Sequence, residues 1–379
     1  MRILLIWEMG ANMGHIDRLL VCARGLREQG HEVRFLLRDL SRAHSRVSAD
    51  GFAMGQAPIW LPRLANPPRL ANYAAVLAAA GWMDSGGLCG LVTAWRDAIA
   101  LARPDLLVCD HSPTAVLAAR SIGLPVVLVG NSFEVPPPGT VFPPMLQDDP
   151  TEGARCAGYD ALVLPHVNRA LERLGAAPLQ RLPDVFDSAV PVLASVPELD
   201  HYDGYAPDAV RMGLAYIGDV GVAPQWPSSP AGAAPGRRVF VYLSPEHAAF
   251  NPLMAALRRQ SATALVHAKG LSPQAATRLG GPGLHFEAEP VSMDAAVRDA
   301  DLVVSHASMG TASAALLAGK PQLVVPSQDE QAMVARRVQQ AGIGLVLPRQ
   351  RSEPGRAPPD PAPLLQRLFA DPGFGARAR

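Results

Sequence analysis

Two histidines stand where short apolar runs give way to helical patterns, and each has neighbours suited to chemistry. His15 ends the stretch Trp7-Glu-Met-Gly10-Ala-Asn-Met-Gly14-His15, whose glycines permit a tight strand-to-helix turn. An imidazole at that place titrates near neutral pH and suits a general base, although a satisfied structural histidine fits the spacing too. Asp110 ends Pro104-Asp-Leu-Leu-Val-Cys-Asp110-His111-Ser112, a second strand end. If strand order brings the two together, the carboxylate orients the ring and stabilises its protonated form. His306 lies in Asp301-Leu-Val-Val-Ser-His306-Ala-Ser-Met-Gly310-Thr311. A small-residue turn there aims a helix N-terminus, the hydroxyls of Ser308 and Thr311 and the open backbone of Gly310 at an anion, with His306 as a further donor. An ordinary strand–turn–helix join accounts for the same residues, and spacing alone does not choose.

Downstream, Pro326-Ser-Gln-Asp-Glu330-Gln331 sets a carboxylate beside an amide, a pair suited to vicinal hydroxyls. A solvated loop with a helix N-cap at Ser327 or Asp329 explains it equally well. Asp299-Ala-Asp301 matches a pattern used for divalent metals, but it reads as a helix end before a strand and is assigned to structure. His31, His44, His166, His201, His247, His267 and His285 show no ligand spacing, and His111 lines a cleft beside Asp110 without an assignable role.

The elements that must position these groups alternate. Strands are expected at Ile3–Trp7, Val33–Leu37, Leu106–Cys109, Val126–Val129, Ala161–Leu164 and Val190–Ala194, with helices between, the first over Ile16–Gln29. Residues 221–236 (GVAPQWPSSPAGAAPG) break the rhythm with a linker composition. Strands then resume at Val239–Leu243, Ala264–His267, Leu284–Glu287, Leu302–Ser305, Leu323–Val325 and Gly344–Leu347. Apolar strands separated by helices imply parallel sheets covered on both faces. The fold class is therefore α/β: two Rossmann-like doubly wound domains, 1–220 and 237–379, facing a cleft that is the natural ligand site. The segment 351–363 is proline-rich, with one short helix expected near Leu364–Ala370.

The chain has 379 residues, 34 basic and 34 acidic, so no broad charge field selects nucleic acid or anionic lipid. At 49% hydrophobic and 18% charged it buries substantial cores and is not a disordered chain. Its four cysteines (Cys22, Cys89, Cys109, Cys156) have no metal or disulfide spacing. The opening apolar run is too short for a signal peptide, and the small-residue stretch within Ala65–Asp84 is too short to span a bilayer. A cytoplasmic protein without membrane insertion is expected.

From Met1 to about Leu347 the sequence resembles the GT-B nucleotide-sugar-dependent glycosyltransferases of the UDP-glycosyltransferase type, closest to their bacterial macrolide and natural-product branch. Gly14-His15, Gly30-His31-Glu-Val-Arg-Phe, the Asp110 strand and Tyr216-Ile-Gly218 carry the likeness, and the block from Ala300 to Ala335 is its specific part. The resemblance implies an inverting transfer from a UDP- or dTDP-sugar to a hydroxyl of a small acceptor, without metal or other cofactor. It implies His15 as base, Asp110 as its partner, and Gly14, Ser244, His306, Ser308, Gly310 and Thr311 on the diphosphate side. Glu330 and Gln331 would bind sugar hydroxyls.

Three departures stand out. The family's His-Gly-Gly turn is His306-Ala307-Ser308 here, its serine–glycine turn is Ser244-Pro245, and the Trp and Gln that the family often has around the nucleobase have no clear counterpart in Glu289-Pro-Val-Ser-Met293. The final crossover helix is abbreviated or missing. A nucleotide-sugar epimerase and a non-catalytic nucleotide-sugar-binding helper are the competing functions. Trp60, Trp82, Met83, Trp95, Phe133 and Phe142 are candidates for an apolar acceptor pocket, with core packing as the commoner use of such residues.

Overall fold

The computed structural model describes the chain except residues 12, 63–64, 67, 146–150, 215–220, 229–235, 261 and 350–358. The Tyr216-Ile-Gly218 motif, much of the expected linker and the start of the proline-rich tail lie outside the described residues. The chain forms two compact units, Met1–Ser195 with Asp200–Tyr216, and Val196–Leu199 with Ile217–Arg379. The second unit takes in Val196–Leu199 because Leu199 is buried with Ala307, Met309, Val334 and Val338.

In the first unit the strands are β1 (Arg2–Trp7), β2 (Glu32–Leu37), β3 (Ala53–Gln56), β4 (Leu106–Asp110), β5 (Val126–Gly130) and β6 (Ala189–Leu193). They pair in the order β3-β2-β1-β4-β5-β6, all parallel. Strand β1 is buried on both faces, from Ile3 to Trp7, as a central parallel strand must be. Helices cover the sheet, and Leu4, Ile6, Leu107 and Leu128 share a core with Val92, Trp95, Val116 and Val163.

The second unit repeats this plan with β7 (Arg238–Tyr242), β8 (Thr263–His267), β9 (Leu284–Glu287), β10 (Leu302–Ser305), β11 (Gln322–Val324) and β12 (Gly344–Val346). Its order is β12-β11-β10-β7-β8-β9, again parallel. Counted from each unit's first strand, both sheets have the same doubly wound order. Each therefore reverses direction between its first and fourth strands, where the carboxyl ends diverge and leave a crevice. Among the described residues two helices follow β12, Ala362–Ala370 and Gly373–Ala378, one more than expected.

Two expectations fail. Ala161–Leu164 is no strand but the middle of the helix Glu152–Arg173, whose inward face carries Cys156, Asp160, Val163, Val167 and Ala170 at helical spacing. Strand β3 has no counterpart in the expected set, since Ala-Met-Gly-Gln at a sheet edge lacks an apolar run. The stretch within Ala65–Asp84 forms a short helix, Tyr73–Leu77, continuing through a π turn to Trp82, with Tyr73, Leu77 and Trp82 buried. Among the described residues no single helix is long and apolar enough to cross a membrane.

Candidate active site

His15 and Asp110 meet at the reversal point of the first sheet. Trp7 of β1 is in register with Asp110 of β4, and the helix Gly14–Glu28 begins one residue before His15. The connecting turn is held from several sides. Met9 N–H donates to the His111 carbonyl (3.0 Å), while Arg38 and Arg42 donate to the carbonyls of Glu8 (3.0 Å) and Ala11 (2.9 Å). Ser112 Oγ donates to the Asp110 and Ile6 carbonyls, stitching the two strand ends together.

His15 Nδ1 lies 2.8 Å from Asp110 Oδ1. An ionised carboxylate only accepts, so Nδ1 is the donor, and in the neutral ring the lone pair is on Nε2. The His15 ring stacks on Trp7 at 5.5 Å between centroids. A Cβ added to Gly10 (φ +84°) would lie 2.4 Å from Nε2 and 3.2 Å from both Cδ2 and Cε1, against the Nε2 end of the ring. Only glycine leaves this side of the imidazole to a ligand.

The dyad is in fact part of a larger buried cluster. Arg18, one helical turn after His15, grips Asp110 with both arms of its guanidinium: Nε to Oδ2 at 2.7 Å and NH2 to Oδ1 at 2.8 Å. The same NH2 is 3.6 Å from Glu134 Oε2. Burial works against the Asp110 charge, but Arg18 and then His15 outweigh it and hold the carboxyl below its ordinary range. Burial raises Glu134, with Arg18 opposing. His111 sits in a left-handed backbone conformation (φ +45°). Its own burial and the neighbouring His15 push it down to about 3, so it is a neutral ring at physiological pH.

Ligand-type atoms of His15, His111 and Glu134 lie within 4.8 Å of one another, a spacing that a metal could bridge. Arg18 NH2, 3.3 Å from His15 Nδ1, already supplies positive charge among them. The expectation that His111 has no assignable role understated it, and Arg18 and Glu134 were missed. For Arg18 the signal was present: it follows His15 at the i+3 spacing that puts two side chains on one helix face.

The second unit places Ser244 and His306 at its own reversal point, after β7 and β10. Ser244 N–H donates to His306 Nε2 at 2.8 Å. Burial and the nearby His247 push His306 down to about 4, so its ring is neutral, with Nδ1 protonated and Nε2 accepting. The sequence expectation had this ring donating to a phosphate; here Nε2 instead holds the Ser244 turn. Ala307 adopts φ +64°, the glycine-like conformation of the turn it replaces, at the steric cost of a Cβ.

Ser308 is the N-cap of the helix Met309–Leu317, yet its side chain makes no capping bond and donates to Thr311 Oγ1 instead (3.1 Å). The first-turn N–H groups thus lack that cap, and Gly310 is exposed with open space where a Cβ would be. Glu330 and Gln331 stand in the first turn of the helix Asp329–Gln340, whose N-cap is Gln328, between the two candidates considered. Gln331 Oε1 accepts from Ser327 N–H and Oγ, both at 2.9 Å. Asp301 accepts from Arg238 N–H at 2.9 Å, a structural tie between strand starts.

Gly14 opens the first-unit helix with nothing within 4 Å of an added Cβ. Of the acceptor-pocket candidates, Trp82, Trp95 and Phe142 are core residues. Trp60 packs against Gly81 and Gly87. Phe133 is half-buried and meets His111 edge-on at 6.0 Å, the candidate nearest the dyad's surroundings.

Residues 250–356 match the glycosyltransferase family 28 C-terminal domain. The zeaxanthin glucosyltransferase of Pseudescherichia vulneris is 28% identical over 262 residues, 64% of this chain, and the match spans 62% of that protein's length. Among solved structures, the calicheamicin glycosyltransferase CalG4 aligns over 100% of this chain and 92% of its own, at 17% identity with a TM-score of 0.72. The spinosyn rhamnosyltransferase SpnG complexed with thymidine diphosphate aligns over 100% and 94%, at 21% identity and a TM-score of 0.65. Residues 250–356 thus match a glycosyltransferase domain model, and the doubled fold is similar to that of the solved glycosyltransferases CalG4 and SpnG.

Proposed function

We propose that the protein transfers a sugar from a nucleoside diphosphate, UDP or dTDP, to a hydroxyl of a small-molecule acceptor, with inversion and without a metal. The observation that carries this reading is the buried His15–Asp110 pair at the first sheet's reversal point, in which Asp110 engages Nδ1 and not Nε2. His15 Nε2 takes the acceptor's proton as the hydroxyl oxygen attacks the anomeric carbon. The bond from that carbon to the β-phosphate oxygen breaks, its electron pair leaving with the diphosphate. Asp110 keeps the ring in the required tautomer.

The second unit would hold the donor. Developing charge on the diphosphate is met by the N-terminus of the helix Met309–Leu317 and the hydroxyls of Ser308 and Thr311, with His306 supporting the Ser244 turn. Glu330 and the Gln331 amide would take the sugar hydroxyls. The solved complex of SpnG with thymidine diphosphate, and another of SpnG with the spinosyn aglycone, support a nucleotide-sugar donor and a small-molecule acceptor for this fold.

The test is His15→Ala. Transfer to a panel of hydroxylated acceptors should fall by about 10²–10⁴-fold while nucleotide binding survives. Equal activity in the variant would sink the base assignment, and nucleotide binding without transfer in the wild type would favour a helper protein.

A further inference from the structure

Asp110 is not free to act as the sole counter-charge of His15, because Arg18 holds both of its oxygens, at 2.7 and 2.8 Å. A fixed cation gripping a carboxylate this closely cancels much of its field at the imidazole. Glu134 is differently placed. It sits in the turn after β5, where Glu134 N–H donates to the Asn131 carbonyl (3.1 Å). Gly130 admits this turn: a Cβ there would come within 2.9 Å of Glu134 Cβ. Glu134 is 7% exposed, and its buried Oε2 has no hydrogen-bond partner, with only the 3.6 Å ion pair to Arg18. One guanidinium between two carboxylates leaves one negative charge over, and it faces His15.

The other charged or titratable groups around His15 do not supply that charge. His111, from the end of β4, is neutral. Glu8, after β1, is turned to the N–H groups of Thr114 and Ala115 and raised by burial to about 7. Arg38, after β2, adds positive charge near Glu8 and His111. Cys22, two turns after His15 on the same helix, is raised by burial, as is Tyr73, from the helix Tyr73–Leu77. His201 acts on Glu134, favouring its charged form.

We propose that Glu134 is a positioning residue for the transfer: with Arg18 holding Asp110, the Glu134 carboxylate supplies the negative charge against which His15 takes up the acceptor's proton. This rests on the reading of His15 as base. Asp110 then sets the tautomer, Arg18 fixes the two carboxylates relative to each other, and Glu134 stabilises the imidazolium through space.

The experiment combines Glu134→Gln and Glu134→Asp with imidazole NMR titration of the whole protein, the His15 signals assigned by their loss in His15→Ala. Removing a negative charge a few ångströms away should lower the midpoint of the His15 titration by about one pH unit in Glu134→Gln. The acid limb of the rate profile should move down with it, and kcat should drop about tenfold at unchanged donor KM. Glu134→Asp, which keeps the charge, should recover most of both. A midpoint that stays put in Glu134→Gln overturns the proposal, and the titration needs no substrate. A shifted midpoint in a protein whose wild type transfers no sugar would instead overturn His15 as base, and the catalytic role of Glu134 with it.

Discussion

Arg18 changes what the His15–Asp110 pair can be. Sequence made the histidine and the aspartate legible, because each ends a strand-plus-turn pattern. It did not make Glu134 legible, since no local pattern ties a proline-rich turn to a helix more than a hundred residues earlier. Two predictions belong at this scale. Gly10→Ala puts a methyl into the space in front of His15 Nε2 and forces φ +84° on an L-residue. Transfer should be lost at a stability cost of about 1–2 kcal/mol, checked by activity and by denaturant titration. Glu8 makes the second. Its carboxyl, raised by burial from 4.5 to about 7, binds a proton more tightly folded than unfolded. Stability from this group is therefore full below about pH 4.5 and is lost as pH rises to about 7. Glu8→Gln can still accept from Thr114 N–H without bearing charge. It should gain about 2 kcal/mol over the wild type at pH 8 and nothing near pH 4.5, read from urea unfolding at both pH values.

Elements were read well where burial is two-sided and poorly where it is not. Central strands such as β1 and β7 are unbroken apolar runs, which only a parallel sheet covered on both faces uses. Ala161–Leu164 offers the same kind of short apolar run but is interrupted by no turn signal. Only Val163 of it continues the buried helical stripe from Cys156 to Ala170, while Leu162 is exposed. Length, not composition, separates the two cases. The helix Met309–Leu317 carries this scale's prediction. Gly310 lies in its first turn, exposed, at ordinary helical φ, with nothing within 4 Å of an added Cβ. Gly310→Ala should leave the fold intact and add about 0.5 kcal/mol from helix propensity. If the first turn receives a diphosphate, the new methyl crowds it, and nucleotide affinity should fall. Thermal shift with and without nucleotide separates the effects. A variant that is more stable and binds as tightly as the wild type would remove the helix N-terminus from the donor site.

At the scale of the chain, one topology is used twice, and each copy places a histidine at the same address, the carboxyl ends of its first and fourth strands. The two are used differently. His15 keeps Nε2 for a ligand, whereas His306 spends Nε2 on the Ser244 N–H. On the proposed function, proton transfer would belong to the first unit and anion holding to the second, and the two would be separable. With two cores, unfolding need not be a single transition, so calorimetry is the suitable probe. UDP or dTDP at about 100 times its Kd should add ~2.7 kcal/mol to the unfolding of the unit that binds it. His15→Ala should keep that gain in full. His306→Ala should lose it, because without the imidazole the Ser244 turn has no partner to hold it beside the helix Met309–Leu317. A gain that survives His306→Ala but disappears in His15→Ala would reverse the assignment of the two units.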